Sequence, residues 1–246
     1  MRILSTYNIK GGVGKTATAV NLAYLAAREG FKTLLWDLDP QGAASFYFGV
    51  KAKIKGGAEY LVKKKHGLEH VVVKTKFGGV DVVPADFSYR NMDIELCDKK
   101  KPVRQLMRML RPISQAYNLL FIDCPPNITL VSENVFFASD ALLVPVIPTP
   151  LSLRTHEQLL RHFRKTPVND LKLLPFFSMV DRRRSLHRQL VESAPLRFPG
   201  FMKTEIPYAS QVEQMGVHCA PLSHFAARSY PAKAYEHLWD EIKRYI

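Results

Sequence analysis

Residues 10–16 read Lys10-Gly11-Gly12-Val13-Gly14-Lys15-Thr16. An apolar strand candidate, Ile3-Leu4-Ser5-Thr6-Tyr7, stands before them, and a helix candidate over residues 17–28 follows. Strand, glycine-rich loop and helix in that order leave little choice of local fold. The chain must turn sharply at a strand end and present backbone N–H groups at the start of a helix. Glycine permits the turn, and the helix N-terminus adds partial positive charge, so the loop reads as a phosphate cradle. In such a cradle Gly11, Gly12, Val13, Gly14 and Ala17 contribute backbone groups. Lys15 reaches the β- and γ-phosphates, and the Thr16 hydroxyl ligates Mg²⁺.

Two further segments fit the same chemistry. Leu34-Leu35-Trp36-Asp37-Leu38-Asp39-Pro40-Gln41-Gly42 is an apolar run that reaches two carboxylates at its C-terminal end, where open α/β sheets bind ligands. Leu119-Leu120-Phe121-Ile122-Asp123-Cys124-Pro125-Pro126-Asn127 reads as a buried parallel strand stopped by two prolines. An Asp at such a strand tip holds Mg²⁺ through a water in P-loop ATPases. Lys10 is extra: the ordinary loop does not require a second lysine at its head.

With Lys10 in place and the three motifs in this order, the chain resembles the ParA/MinD/Soj family of deviant Walker-motif ATPases. The resemblance implies ATP and Mg²⁺ as cofactors and a nucleotide-sandwich homodimer. Lys10 would cross to the partner's phosphates, as an arginine finger supplied in trans does. It implies that Asp39 orients the attacking water near Mg²⁺ and that Asp37 supports the site. Cys124-Pro125-Pro126 looks ParA-like, whereas the MinD branch usually has a small-residue turn there. The segment from Val144 to Arg154 resembles the family's strand and proline-rich loop. Ser178-Met179-Val180-Asp181-Arg182 and Glu205-Ile206-Pro207-Tyr208 resemble the segments around the base, which assigns Met179, Asp181 and Pro207 to the nucleotide. Two positions depart from the family: Ala17 replaces a common threonine, and Tyr208 stands where relatives often carry an arginine linked to DNA.

Alternating strand and helix patterns predict an α/β fold, a doubly wound, mostly parallel sheet with helices on both faces. Strands are expected at 2–8, 32–37, 80–84, 118–123, 141–147, 171–180 and 202–206. Helices are expected at 15–29, 87–97, 102–116, 128–138, 152–165, 185–194 and 231–245. Residues 51–79 carry no clear period and read as a mobile insertion between motifs. The length of 246 residues fits a single ATPase domain over 1–246, a short form with no operator-binding domain before the loop. No leader or membrane-spanning run is visible. Cys97, Cys124 and Cys219 are odd in number and lack CxxC spacing, which predicts reduced thiols and a cytoplasmic setting.

Charge points to a partner. Lys plus Arg total 35 against 22 Asp plus Glu, a formal net charge of +13. Residues 51–110 hold fourteen basic and seven acidic side chains, and residues 151–246 hold fifteen and nine. A surface this basic suggests duplex DNA, held through its backbone without sequence preference. The candidate contacts are Arg182, Arg183, Arg184, Lys203, Arg228, Lys233 and Lys243. Lys51/Lys53/Lys55, Lys63-Lys64-Lys65 and Lys99-Lys100-Lys101 form other clusters.

The resemblance implies a nucleoid-associated switch that segregates or positions a cargo, with a ParB-like or other adaptor stimulating hydrolysis. The cargo is a plasmid or chromosome partition complex, or a protein assembly such as carboxysomes. Two alternatives stay open: a MinD-like membrane-surface ATPase and a metal-cluster ATPase. The last helix bears on the first, because its broad apolar stripe, including Ala234, Leu238 and Ile242, reads as core-facing and argues against a membrane.

Overall fold

The computed structural model describes residues 1–63, 67–166, 168 and 170–246. Among them one sheet holds β1 (Arg2–Thr6), β2 (Thr33–Asp37), β3 (Val73–Lys74), β4 (Val80–Val83), β5 (Leu119–Asp123), β6 (Ala141–Val146) and β7 (Lys172–Phe177). The order is β3-β4-β2-β5-β1-β6-β7. Every pairing is parallel except β3 with β4. The connecting helices are α1 (Lys15–Arg28), α2 (Ala43–Tyr47), α3 (Gly57–Val62), α4 (Met92–Cys97), α5 (Gln105–Leu110), α6 (Leu130–Ala138), α7 (Pro150–Lys165) and α8 (Ser185–Arg197). Three short turns, α9 (Ser210–Glu213), α10 (Met215–His218) and α11 (Leu222–Phe225), lead to α12 (Tyr230–Ile242).

The period of two along the strands divides the interior. Leu34, Trp36, Leu120 and Ile122 point into one core, filled from α3 to α8 by residues such as Met92, Leu106, Val135 and Leu159. Leu35, Leu119 and Phe121 point into the other, filled by α1, α2 and α10 to α12. Helices thus cover both faces, as the sequence predicts. The apolar stripe of α12 (Ala234, Leu238, Ile242 and their neighbours) lies in this second core, and α12 packs on α1.

Several expected elements take another form. Residues 202–206 are not a strand: Met202, Ile206 and Tyr208 donate to Pro175, Phe177 and Val180, and Val180–Pro207 is an isolated bridge. The segment therefore covers the open edge of β7 without forming a ladder. The helix expected over 87–97 begins as a 3-10 turn (Phe87–Asn91), capped by the Asp86 carboxylate on the Ser88 amide. The helix expected over 102–116 is broken, because Pro102 and Pro112 open 3-10 turns on either side of α5. The strand expected over 171–180 stops at Phe177. Residues 51–79 are not a loose insertion where described: Ile54, Ala58, Leu61, Val62 and Leu68 are buried, and β3 pairs with β4. Lys64 and Lys65 lie outside the described residues.

Candidate nucleotide-binding site

β2, β5 and β1 are neighbours, and their register sets Asp37, Asp123 and Thr6 in one row at the C-terminal ends of the strands. All three are fully buried. The Thr6 hydroxyl donates to Asp123 Oδ1 at 3.2 Å, while Asp123 Oδ2 has no partner among the described residues. Asp37 Oδ2 accepts the Ser45 amide at 2.7 Å and its hydroxyl at 2.8 Å, and Asp37 Oδ1 is likewise unpartnered. Burial raises the pKa of both carboxyls; repulsion from Asp37 and then Asp39 adds to the rise at Asp123, and repulsion from Asp39 adds to the rise at Asp37. Two orphaned carboxylate oxygens under one loop are costly unless a cation or a proton joins them. Thr16 faces Asp123 and favours its charged form.

The loop above this row is anchored from within. The buried Asn8 side chain donates to the Pro145 carbonyl at 2.8 Å and accepts from the Lys10 amide at 2.9 Å. Gly12 and Gly14 take φ of +68° and +92°, a region that disfavours other residues. A Cβ at Gly14 would lie 2.9 Å from Ser178 Oγ, so the loop also needs glycine there for close approach. Lys15, only 6% exposed, donates to the Lys10 carbonyl at 3.0 Å. Burial lowers its pKa, opposed by the charge of Asp123. A buried ammonium with spare donors beside orphaned carboxylates suits a bound polyanion with a divalent cation. Such a cation takes hard oxygen ligands, which Thr16 and Asp123 supply.

The other predicted residues divide into two groups. Gly14, Ala17, Met179, Pro207 and Tyr235 line one narrow slot beside the loop. Asp181 lies next door, in a wider cleft with Arg182, Arg183, Tyr208 and Tyr230. Its carboxylate is gripped by Arg183 at 2.9 Å from both Nε and Nη2, which pulls its pKa down to about 2. Asp39 is half-buried at the head of the next loop, where its Oδ1 accepts the Gln41 amide at 3.0 Å. Lys10 Nζ is turned towards α7, 3.4 Å from Ser152 Oγ.

The candidate DNA residues do not form one patch. Arg182 pairs with Glu205 at 2.8 Å, Arg183 with Asp181, Lys233 with Glu236 at 2.7 Å, and Lys243 with Glu29 at 2.8 Å. Arg184 and Arg228 are exposed and form no ion pair among the described residues. Lys203 and Lys243 sit at the far end of α12 from Arg228, since the Lys203 amide and Lys243 bond to Glu241 and Glu29. Of the thiols, Cys124 is buried and Cys97 is exposed on α4. No group of three or more His, Cys, Asp or Glu side chains converges among the described residues.

Sequence reasoning missed Asn8, Ser45 and Tyr235, and left Ser178 without a role inside the base segment. Asn8 and Ser45 are small polar residues whose signal is burial, and Tyr235 lay inside an apolar helical stripe.

A family profile described as an AAA domain matches residues 1–172. The sporulation initiation inhibitor protein Soj of Bacillus subtilis is 32% identical over 247 residues, covering 98% of this chain and 98% of the relative. The chromosome-partitioning ATPase Soj of Treponema pallidum is 30% identical, covering 96% and 94%. The crystal structure of cobyrinic acid a,c-diamide synthase from Mycobacterium smegmatis with bound ATP analog and magnesium superposes with a TM-score of 0.84. It is 25% identical and covers 99% of this chain and 95% of that one.

Proposed function

The chain belongs to the AAA-domain family of ParA- and Soj-type partition ATPases, and from that premise we propose that it works as an ATP-switched homodimer. The dimer binds duplex DNA without sequence preference and positions a cargo. The observation that carries this reading is the buried row Thr6–Asp123–Asp37, with its two orphaned carboxylate oxygens, beneath a loop that holds a desolvated lysine.

In this reading residues 1–246 act as one ATPase domain. The loop amides and Lys15 hold the β- and γ-phosphates. Thr16 and Asp123 would hold Mg²⁺, with Asp39 nearby, and that ion supplies charge neutralisation on the phosphates when bound. Asp39 orients the attacking water. Met179 and Pro207, on the walls of the slot next to Gly14, flank the base, and Asp181 supports that wall through Arg183. The Lys10 ammonium is free of its own cradle, which supports a role on the partner's phosphates. A cargo-bound adaptor of the ParB kind stimulates hydrolysis, and the dimer then leaves DNA. The setting is the cytoplasm, on the nucleoid. Burial of the α12 stripe against α1 favours this reading over membrane-surface attachment. Among the described residues no helix is long and apolar enough to cross a membrane.

Light scattering with and without ATP and Mg²⁺, followed by binding to random-sequence duplex, tests the proposal. Expected are a monomer without nucleotide, a dimer with ATP, and ATP-dependent DNA binding that weakens steeply with salt. A chain that binds ATP yet stays monomeric, or that binds DNA equally without nucleotide, overturns it.

A further inference from the structure

Among the described residues, the longest positive run without an ion pair lies away from the C-terminal arginines. Residues 99–111 contain Lys99, Lys100, Lys101, Arg104, Arg108 and Arg111 and no acidic residue. All but Lys99 are exposed, and none forms an ion pair among the described residues. Glu95 and Asp98, which precede the run, act on Lys63. Arg104 and Arg111 stand immediately before and after α5 and Arg108 lies within it, so the three side chains are carried by about 10 Å of chain.

A solvated charge run needs no fixed shape, but this one is fixed by buried groups. Gln105, 4% exposed, donates from Nε2 to the Lys100 carbonyl at 2.7 Å and to that of Lys101 at 3.0 Å. Lys101 is held at φ +58°, a left-handed conformation that strains a non-glycine residue. Asn134 of α6, fully buried, accepts the Gln105 and Leu106 amides at 2.8 and 3.1 Å and donates to the Pro102 carbonyl at 2.8 Å. α6 begins just after the Pro125–Pro126 turn that leaves Asp123, so the same helix joins the nucleotide site to the run.

We propose that the Lys100–Arg111 face is a second contact surface for the phosphodiester backbone of duplex DNA, additional to Arg184 and Arg228. It rests on the DNA-binding reading above. Guanidinium groups on a rigid support suit phosphate oxygens. Met107 is the one exposed large apolar side chain within residues 100–111, which is too little to insert into a bilayer. β4 and β5, which this segment connects, lie on the opposite side of β1 from β7, the strand that leads to Arg184.

The test is fluorescence anisotropy of a random-sequence duplex with ATP over a range of salt. For Arg104→Ala/Arg108→Ala/Arg111→Ala we expect affinity to fall about tenfold or more. The slope of log K against log salt should shrink by up to about 2.7, the value for three lost phosphate contacts. ATP hydrolysis without DNA should match the parent. Lys101→Gly relieves the left-handed strain, so it should raise the unfolding midpoint while lowering DNA affinity severalfold, which separates charge from folding. If the triple variant keeps the parent's affinity and slope while Arg184→Ala/Arg228→Ala loses binding, this proposal fails and the DNA reading stands. If the parent binds no DNA, both fail. Parent binding to polyglutamate or to phosphatidylglycerol vesicles that the triple variant loses, with DNA affinity unchanged, also overturns it.

Discussion

Asp123→Asn should make the protein more stable and less able to bind nucleotide. Asp37 and Asp123 are register partners on adjacent strands, about 5 Å apart at the backbone, and both are fully buried. Two full charges at that separation repel by about 3 kcal/mol at an effective dielectric constant of 20. The pair escapes part of this by retaining a proton, so replacing one carboxyl with an amide should gain about 1–2 kcal/mol without ligand. For a chain of this size that is roughly 2–8 °C in Tm. The amide oxygen can keep the Thr6 hydrogen bond, and its N–H₂ offers a donor to the neighbouring carboxylate.

The pH dependence is a second check. The folded-state pKa of Asp123 is raised above the ordinary 3.8 by burial and by Asp37. The folded chain therefore holds this proton more tightly, and the group's stabilising contribution is full below about pH 4. It is lost as pH rises through the folded pKa, so the advantage of Asp123→Asn should grow from pH 4.5 to 7.5 in thermal melts. Titration with a fluorescent ATP analogue and Mg²⁺ should show affinity about tenfold weaker or worse, since Asn is a poorer cation ligand. A variant that is less stable than the parent at neutral pH, or that binds Mg²⁺ and ATP equally well, would refute the reasoning.

Other perturbations probe the loop and the core. Gly12→Ala should cost about 1–2 kcal/mol through its left-handed backbone alone. Gly14→Ala should cost more, because its Cβ would also meet Ser178 Oγ at 2.9 Å. Urea midpoints of both in a Ser178→Ala background should converge, and a persisting gap would contradict the contact argument. His156 is packed against Phe198 and Phe201, its Nδ1 is unpartnered, and desolvation lowers its pKa to about 4. Its stabilising contribution is full above the ordinary 6.5 and fades as pH falls towards 4, by up to about 3 kcal/mol. His156→Leu should flatten that acid limb in pH-dependent denaturation, and an unchanged limb would exclude His156 as its source.

The strand row was legible because β2 and β5 end in Asp after unbroken apolar runs, and the loop because glycine and lysine spacing has few other uses. Elements of four to six residues, such as α3 or α9, are too short to show a helical period. The 202–206 segment looked like a strand because its apolar residues do lie along β7, but it meets that edge only through separate backbone bonds and the single Val180–Pro207 bridge, with Met179 at φ +56° interrupting the edge. Charge clusters were visible, but their pairing was not: Arg182 and Arg183 meet carboxylates 23 and two residues away. The face with unpaired charge arises only once Pro102, Gln105 and Asn134 fix the backbone.

Mixing two inactive variants tests the shared site most directly. Lys10→Ala lacks the crossing ammonium, and Asp39→Ala lacks the residue that orients water. A mixed dimer then contains one complete site, with Asp39 from one subunit and Lys10 from the other. Steady-state ATP hydrolysis should be near background for each variant alone and should rise towards half the parent rate, per mixed dimer, on mixing. Hydrolysis that stays at background in mixtures shown by light scattering to dimerise, or a Lys10→Ala variant that hydrolyses ATP alone at the parent rate, would contradict a lysine acting across the dimer.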